Sequence, residues 1–392
     1  MAGQTVNRRG IVYRVLTLIA VCLIAASFFS PGWWVALKAP NYPEATFPDG
    51  IRIHFHMDSV RNGCVIRDSQ EVEEKEALDC VHEMDTINHY VGMYPIASGG
   101  PVEKGFSPFL FSLMGVMLLA FAAPGRKTRM AVSVLGYGAI AVWMGMTMYT
   151  PGGISYQSKG YLQGLVDSLG QDSKDSLDDD NLAPIVKMLK ESMAKTEAAK
   201  AAAAGETGNS RAALIANLKS NFHLDQMKLP EAQRQEWTGS GMQVLAWHYD
   251  KSLNRWFNMP ERSARLKAIM ENVAALLAAA VVGAMALMTF AAWSERSLFY
   301  WLLVLVPIAL PIGFLFEYSA WLWWYGHSLN EMGAFTLKPF MPTVFGEGKV
   351  AQFTTYSYPH YGFGLMVVSS LLLVLAALIR RKQLRLEDAA QA

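Results

Sequence analysis

The stretch "HFHMDSVRNGC" at residues 54–64 places His54, His56, Met57 and Cys64 close together, and two further pairs follow, His82 with Met84 and His89 with Met93. Imidazole suits copper, zinc and iron, while a thioether selects the soft cuprous ion. A set that mixes the two therefore favours copper over magnesium, calcium or zinc. In a strand, the His-x-His spacing puts both rings on one face about 7 Å apart, close enough to chelate one ion. In a helix, His89 and Met93 stand one turn apart on one face. Each pair taken singly is an ordinary hydrogen-bonded surface histidine; three pairs in one short segment are what point to a metal. A possible additional site is formed by His327, His360, Glu317 and Met332, with Glu317, Tyr318 and Tyr325 framing the mouth of a shallow site.

The elements that must hold these groups are legible from local pattern. "IRIHFHM" alternates as a strand, with Ile51, Ile53, Phe55 and Met57 on one face and His54 and His56 together on the polar face. An acidic helix or turn and a short apolar run ending at Pro95 and Gly99–Gly100 follow, so a small mixed α/β domain is expected. Cys64 and Cys80 are natural disulfide partners in an oxidising compartment, where closing their loop stabilises by about 3 kcal/mol on the chain-entropy account. Thiolate ligation of a metal is the competing reading. Cys22, inside an apolar run, reads as a packing residue.

Around this domain the chain is a membrane protein. Of its 392 residues 52% are hydrophobic and only 17% charged, against about 25% charged in soluble domains. A formal net charge of +1 offers no basic surplus for a phosphate backbone, so nucleic acid is excluded as a partner. Six runs are long enough to cross the hydrocarbon core: Ile11–Phe29, Ser107–Ala123, Met130–Tyr149, Ala268–Trp293, Leu298–Phe316, kinked at Pro307 and Pro311, and Phe363–Ile379. Arg8, Arg9 and Arg14, then Arg126, Lys127 and Arg129, then Arg380, Arg381 and Lys382 flank alternate ends, which places both termini in the cytoplasm of an inner (cytoplasmic) membrane. Arg262, Arg265 and Lys267 break the pattern, at the end of a segment long enough to cross regardless of charge. The first run also fits the opening regions of a signal peptide, but bulky "SFFSPGWW" in place of an A-x-A-like site favours an uncleaved anchor.

The expected fold is an α-helical polytopic membrane protein: six transmembrane helices, a small mixed α/β extracytoplasmic domain and a helical extracytoplasmic insertion. Its parts are the N-terminal tail and first span (1–30), the extracytoplasmic His/Met/Cys domain (31–106), a two-span hairpin (107–149), the helical segment (150–267), a second hairpin (268–316), an aromatic loop (317–362), and the sixth span with a cytoplasmic tail (363–392). Asp178, Asp179 and Asp180 read as the N-terminal charge of an Ala-rich helix rather than a calcium loop. Trp237, Trp247 and Trp256 are expected to pack near the membrane surface.

Several chemistries are absent. No GxSxG elbow, HExxH pair or CxxCH attachment occurs, and "FGEGK" lacks the full phosphate-loop spacing. Charges are missing from the middle of the spans, with Glu271 and Glu317 near their outer ends, which argues against an ion-coupled carrier. Three readings are left, in descending order of support. The first is a periplasm-facing accessory protein that binds or delivers copper, or supports assembly of a copper-dependent enzyme. The second is a non-catalytic structural subunit of a membrane complex. The third is a membrane redox enzyme subunit whose site lies where the first and third loops meet, using His89, His327 and His360. The partners implied are the lipid bilayer and a protein of a membrane complex or a copper enzyme, and the cofactor is copper.

Overall fold

Uninterrupted apolar runs satisfy their backbone within the helix, and that is what a bilayer demands of them. In a computed structural model, which describes residues 2–42, 44, 47–65, 79–175, 210–335, 337–350 and 352–391, these runs form α1 (Ala2–Phe28), α3 (Pro101–Ala122), α4 (Gly125–Tyr149), α8 (Pro260–Ala291) and α11 (Tyr361–Gln391). Here α2 is Cys80–Tyr90, α5 Lys159–Asp175, α6 Arg211–Met227, α7 Gly241–Asn254, α9 Leu302–Ile308 and α10 Leu310–His327. Among the described residues, five helices are individually long and apolar enough to span a membrane. The protein is thus a polytopic membrane protein with a small antiparallel sheet.

The sixth expected span departs from a straight helix. Residues Leu298–Ile308 and Leu310–His327 meet at 57°. Pro307 lies inside α9 and Pro311 in the first turn of α10, where a missing N–H and a ring that clashes with the preceding turn break the helical ladder. Helix α10 then runs on to His327, so the aromatic segment begins as a helix, not a loop.

Five strands, β1 (Trp33–Lys38), β2 (Ile51–Phe55), β3 (Val60–Asn62), β4 (Gly346–Val350) and β5 (Phe353–Pro359), form one antiparallel sheet of order β3-β2-β1-β5-β4. The central strand β1 pairs with β2 (Val35 opposite Ile53) and with β5 (Val35 opposite Ser357). Alternation splits the sheet into two faces. Val35, Leu37, Ile53 and Phe55 face inward, while Trp34 carries the Arg52 guanidinium 4.1 Å above its ring and packs on Tyr358.

Helix α2 closes one side of the sheet. Asp79 caps it by accepting from the Val81 and His82 N–H groups, and the Cys64–Cys80 disulfide pins its first residue to the end of β3 with Cα atoms 6.0 Å apart. A separate core (Leu162, Leu165, Leu218, Phe222, Val244, Trp247) unites α5, α6 and α7. There Trp237 and Trp247 both pack on Phe222, whereas Trp256 packs on His82 and His89. Asp178, Asp179, Asp180 and the Ala-rich segment after them lie outside the described residues. Cys22 is exposed on the bundle surface rather than packed within it.

At the end of the bundle away from the sheet, Arg129 of α4 and Arg380 of α11 both pair with Glu295, in the turn after α8. The two arginines are 2% and 5% exposed and Glu295 is 22% exposed, so one partly buried carboxylate ties three parts of the bundle together.

Candidate functional site

The inner face of the sheet does not seal against its neighbours. Between it, α2, the start of α3 and α10 lies a cavity of about 240 Å³. Its walls are apolar and come from every side: Val35, Leu37, Ile53 and Phe55 from the sheet, Met84, Ile87 and Val91 from α2 and the turn after it, Phe314, Trp321 and Leu322 from α10. Leu337, Phe340 and Pro342 complete it. A concave apolar space with a few convergent polar groups is the usual form of a small-molecule site.

Helix α10 separates this space from the outer surface of the bundle. Phe314, Glu317, Tyr318, Trp321 and Tyr325 recur at helical spacing on the cavity side. Ile312, Phe316 and Trp323 form the other stripe and are 72%, 78% and 55% exposed, as suits contact with a bilayer.

The polar groups gather where α3 begins. Gly100, at φ +61°, caps α3 in the left-handed region that glycine tolerates, and Pro101 takes the first helical position. A Cβ built on Gly100 would lie 3.6 Å from Lys104 Cε, 3.7 Å from Trp321 Nε1 and 3.8 Å from Glu317 Oε1. The missing methyl therefore leaves a point onto which an ammonium stem, an indole N–H and a carboxylate converge. Glu103 also lines the cavity and has a buried Oε2 without a hydrogen-bond partner. Among the described residues, no hydrogen bond or ion pair engages the side chains of Glu103, Lys104 or Glu317. The backbone around this point is held firmly. The Tyr325 hydroxyl stands 3.0 Å from the carbonyl oxygens of both Pro95 and Ile96, a Cβ on Gly99 would run into that hydroxyl, and Asp85 Oδ1 accepts from the Ile96 N–H at 2.7 Å.

The expected metal ligands are dispersed. Strand β2 stops at Phe55, because the His56 N–H turns back to the Ser59 carbonyl at 2.8 Å. His56 and Met57 consequently line the cavity, while His54 packs its ring 5.1 Å from that of His360. The assumption of one shared face fails with the end of the strand. Burial, reinforced for His54 by Arg52 and for His56 by Arg61, pushes their pKa values down to about 4 and about 3. His54 Nε2 and His56 Nδ1 are buried without partners, but Gly63 covers the former so closely that a Cβ there would lie 3.0 Å from it. His360 Nδ1 accepts from the Tyr361 N–H at 2.9 Å, which leaves its other nitrogen protonated and without a lone pair.

The remaining pairs do not assemble either. Helix α2 ends at Tyr90 and the chain reverses at Gly92, φ +82°, so His89 and Met93 are not one turn apart on a helix. His89 packs 5.1 Å from Trp256 and 5.0 Å from Phe257, and burial lowers its pKa. His82 Nδ1 lies 3.2 Å from Arg255 Nη2 and accepts from it. Met84 and Met93 are buried and face the cavity. His327 stacks on Trp323 at 4.5 Å and donates Nδ1–H to the Trp323 carbonyl, and Met332 is exposed. Among the described residues, no three His, Cys, Asp or Glu side chains are arranged to hold a metal ion.

One contact missed by motif reading has the residue types of a hydrolytic dyad. Ser168 Oγ is 2.7 Å from His248 Nε2. That nitrogen also lies 3.2 Å from the Leu165 carbonyl, which can only accept, so it carries the proton. Ser168 gives its own hydrogen to the same carbonyl at 2.9 Å. His248 is therefore a neutral buried donor, its pKa lowered to about 3 by burial, and not a base for Ser168. Glu103 and Lys104, by contrast, belong to no motif, and the sequence offers no signal for their role beyond the adjoining Gly99–Gly100 turn. No protein-family model, curated protein or solved structure matches the chain.

Proposed function

We propose that this protein is a membrane-embedded binding protein that takes an amphiphilic molecule from the bilayer into the cavity behind α10. The observation that carries this reading is the two-sided character of α10, with one stripe toward lipid and the other lining an apolar space that ends in unpartnered charges. Apolar walls accept a hydrocarbon chain by the same burial that drives folding, and the polar end fixes orientation. The sheet, α2 and the cavity are extracytoplasmic in this proposal and both termini cytoplasmic. The disulfide near the cavity and the arginine-rich flanks at the opposite end support that orientation.

The test is native mass spectrometry of protein purified in mild detergent, with and without bulk introduced from opposite walls as Val91→Trp and Leu322→Trp. Wild-type protein is expected to retain an amphiphile that both variants release. Ligand-free wild-type protein, or equal occupancy in all three, rejects the proposal.

A copper-handling role is the second reading, favoured by one observation: His56 is held neutral, the state in which imidazole ligates, its Nδ1 is buried without a partner, and Met57 beside it lines the same cavity. In this form His56 and Met57 would hold the ion, with His54 turned away under Gly63. Cuprous-ion titration of wild type against a His54→Ala, His56→Ala double variant decides it; equal uptake removes copper from this edge.

A further inference from the structure

The amphiphile reading leaves open which headgroup meets the charged end of the cavity, and the geometry points to an answer. We propose that the site selects an aminophospholipid headgroup, with its primary ammonium between Glu103 and Glu317 and its phosphate on Lys104 Nζ and Trp321 Nε1–H. This inference rests on the proposal that the cavity holds a bilayer amphiphile.

Charge and hydrogen-bonding capacity both lead there. Two carboxylates and one ammonium meet at the cavity end and interact electrostatically, so the protein presents both an anionic and a cationic half within one headgroup's reach. A purely anionic head would leave two carboxylates unmatched and repelled. A purely cationic one would leave Lys104 facing a like charge. A zwitterion with N–H donors at one end and acceptor oxygens at the other meets all four protein groups. The ammonium must carry N–H donors, because Glu103 Oε2 is buried without a hydrogen-bond partner and a quaternary ammonium has none to give; a primary one can serve both carboxylates and the phosphate end at once.

The phosphate end is placed by two further features. Lys104 Cε, Trp321 Nε1 and Glu317 Oε1 all lie within 4 Å of the space that Gly100 leaves open, so the phosphate takes the Lys104 and Trp321 side of it and the ammonium the Glu317 side. Helix α3 starts at Pro101 in the same spot and directs the positive end of its dipole there. Carboxylate and phosphate subsites are thus adjacent, as they are along a phosphoethanolamine group. Tyr318 and Tyr325 are not free to bind the head: their hydroxyls are already committed to Ser357 and to the Pro95 and Ile96 carbonyls.

The experiment equilibrates the full-length protein with mixed micelles containing phosphatidylethanolamine, phosphatidylcholine or phosphatidylglycerol and measures retention of each by native mass spectrometry. Retention of phosphatidylethanolamine is expected to exceed that of the other two by about tenfold, the scale of one good charge-assisted contact. Glu317→Gln and Lys104→Gln are each expected to erase the preference while the melting temperature of the lipid-free protein stays unchanged; Glu103→Gln provides an independent variant should either fold poorly. Equal retention of the choline and ethanolamine lipids, or an unaltered preference in these variants, overturns the inference while leaving the cavity reading in place. Soluble phosphoethanolamine that binds as strongly as the lipid overturns the bilayer as source. Absence of any retained lipid overturns the cavity reading itself.

Discussion

Two clusters of three charges sit at opposite ends of the bundle and follow opposite rules. Around Glu295, one carboxylate is shared by Arg129 and Arg380, each almost fully buried. Around Gly100, Glu103, Lys104 and Glu317 converge on an open space without bonding one another. Buried charges are costly unless paired, so the first arrangement is what stability requires and the second is what stability alone would discard. The difference separates an internal strut from a cluster left open: one set of charges is matched within the fold, and the other is matched, on the proposed reading, by a bound headgroup.

Substitutions are expected to act on the two clusters in different currencies, and the largest effect belongs to the strut. Glu295→Gln removes the carboxylate shared by two buried guanidinium groups, leaving Arg380 with Glu387 and Arg129 with the Ala292 carbonyl, and is expected to destabilise the protein by about 3 kcal/mol, read as a lower melting temperature in detergent, with lipid preference intact in whatever remains folded. Equal melting of Glu295→Gln and Glu317→Gln would erase the distinction between the clusters. Next, Cys64→Ser with Cys80→Ser is expected to cost about 3 kcal/mol, seen in urea unfolding; the cavity wall formed by α2 should loosen while the Arg129–Glu295–Arg380 end holds, which hydrogen exchange can resolve. A smaller effect is expected from Met84→Ala, about 2–4 kcal/mol at a tightly packed site but less here, because its side chain already borders open space; a melting shift as large as that of Glu295→Gln would mean the cavity is closed.

The smallest effect is set by pH. His54 and His56 are neutral in the folded state with pKa values lowered to about 4 and about 3, against an unfolded value of 6.5. Above pH 6.5 both states are neutral and stability is flat. As pH falls from about 6.5 toward 4, the unfolded chain takes up protons that the folded chain refuses, so stability declines. The pH slope of thermal melts across that window should become shallower in a His54→Gln, His56→Gln variant, the remaining slope belonging to other histidines held neutral by burial, His248 and His89 among them, and should not change in Glu295→Gln, whose cluster lies at the other end.

How much of this was visible in the sequence follows from the range of each interaction. The spans, the strand at Ile51–Phe55 and the disulfide are local or compositional, and hydropathy, alternation and cysteine chemistry reveal them. The pairing of Trp33 with Pro359 and of Lys38 with Thr354 leaves no local trace, so the aromatic segment could not be seen to complete the sheet. The His-x-His inference failed at one turn: the backbone bond from His56 to Ser59 ends the alternation that a sequence pattern extends indefinitely. Glu317, Tyr318 and Tyr325 drew notice as rare polar groups in apolar surroundings, and all three line the cavity. What sequence could not supply was Gly100, since only the folded backbone shows which side chains a missing Cβ admits.

The central position of β1 governs the order of events during synthesis. Its partner β5 is more than 300 positions later, as the bond from Trp33 Nε1 to Ser357 Oγ at 2.8 Å records, so half of the sheet is untemplated until nearly the whole polypeptide has left the ribosome. Contacts of such long separation form late and slowly. A chain truncated before residue 353 would lack the strand that supplies Phe353 and Thr355 to the cavity wall, leaving its apolar interior open.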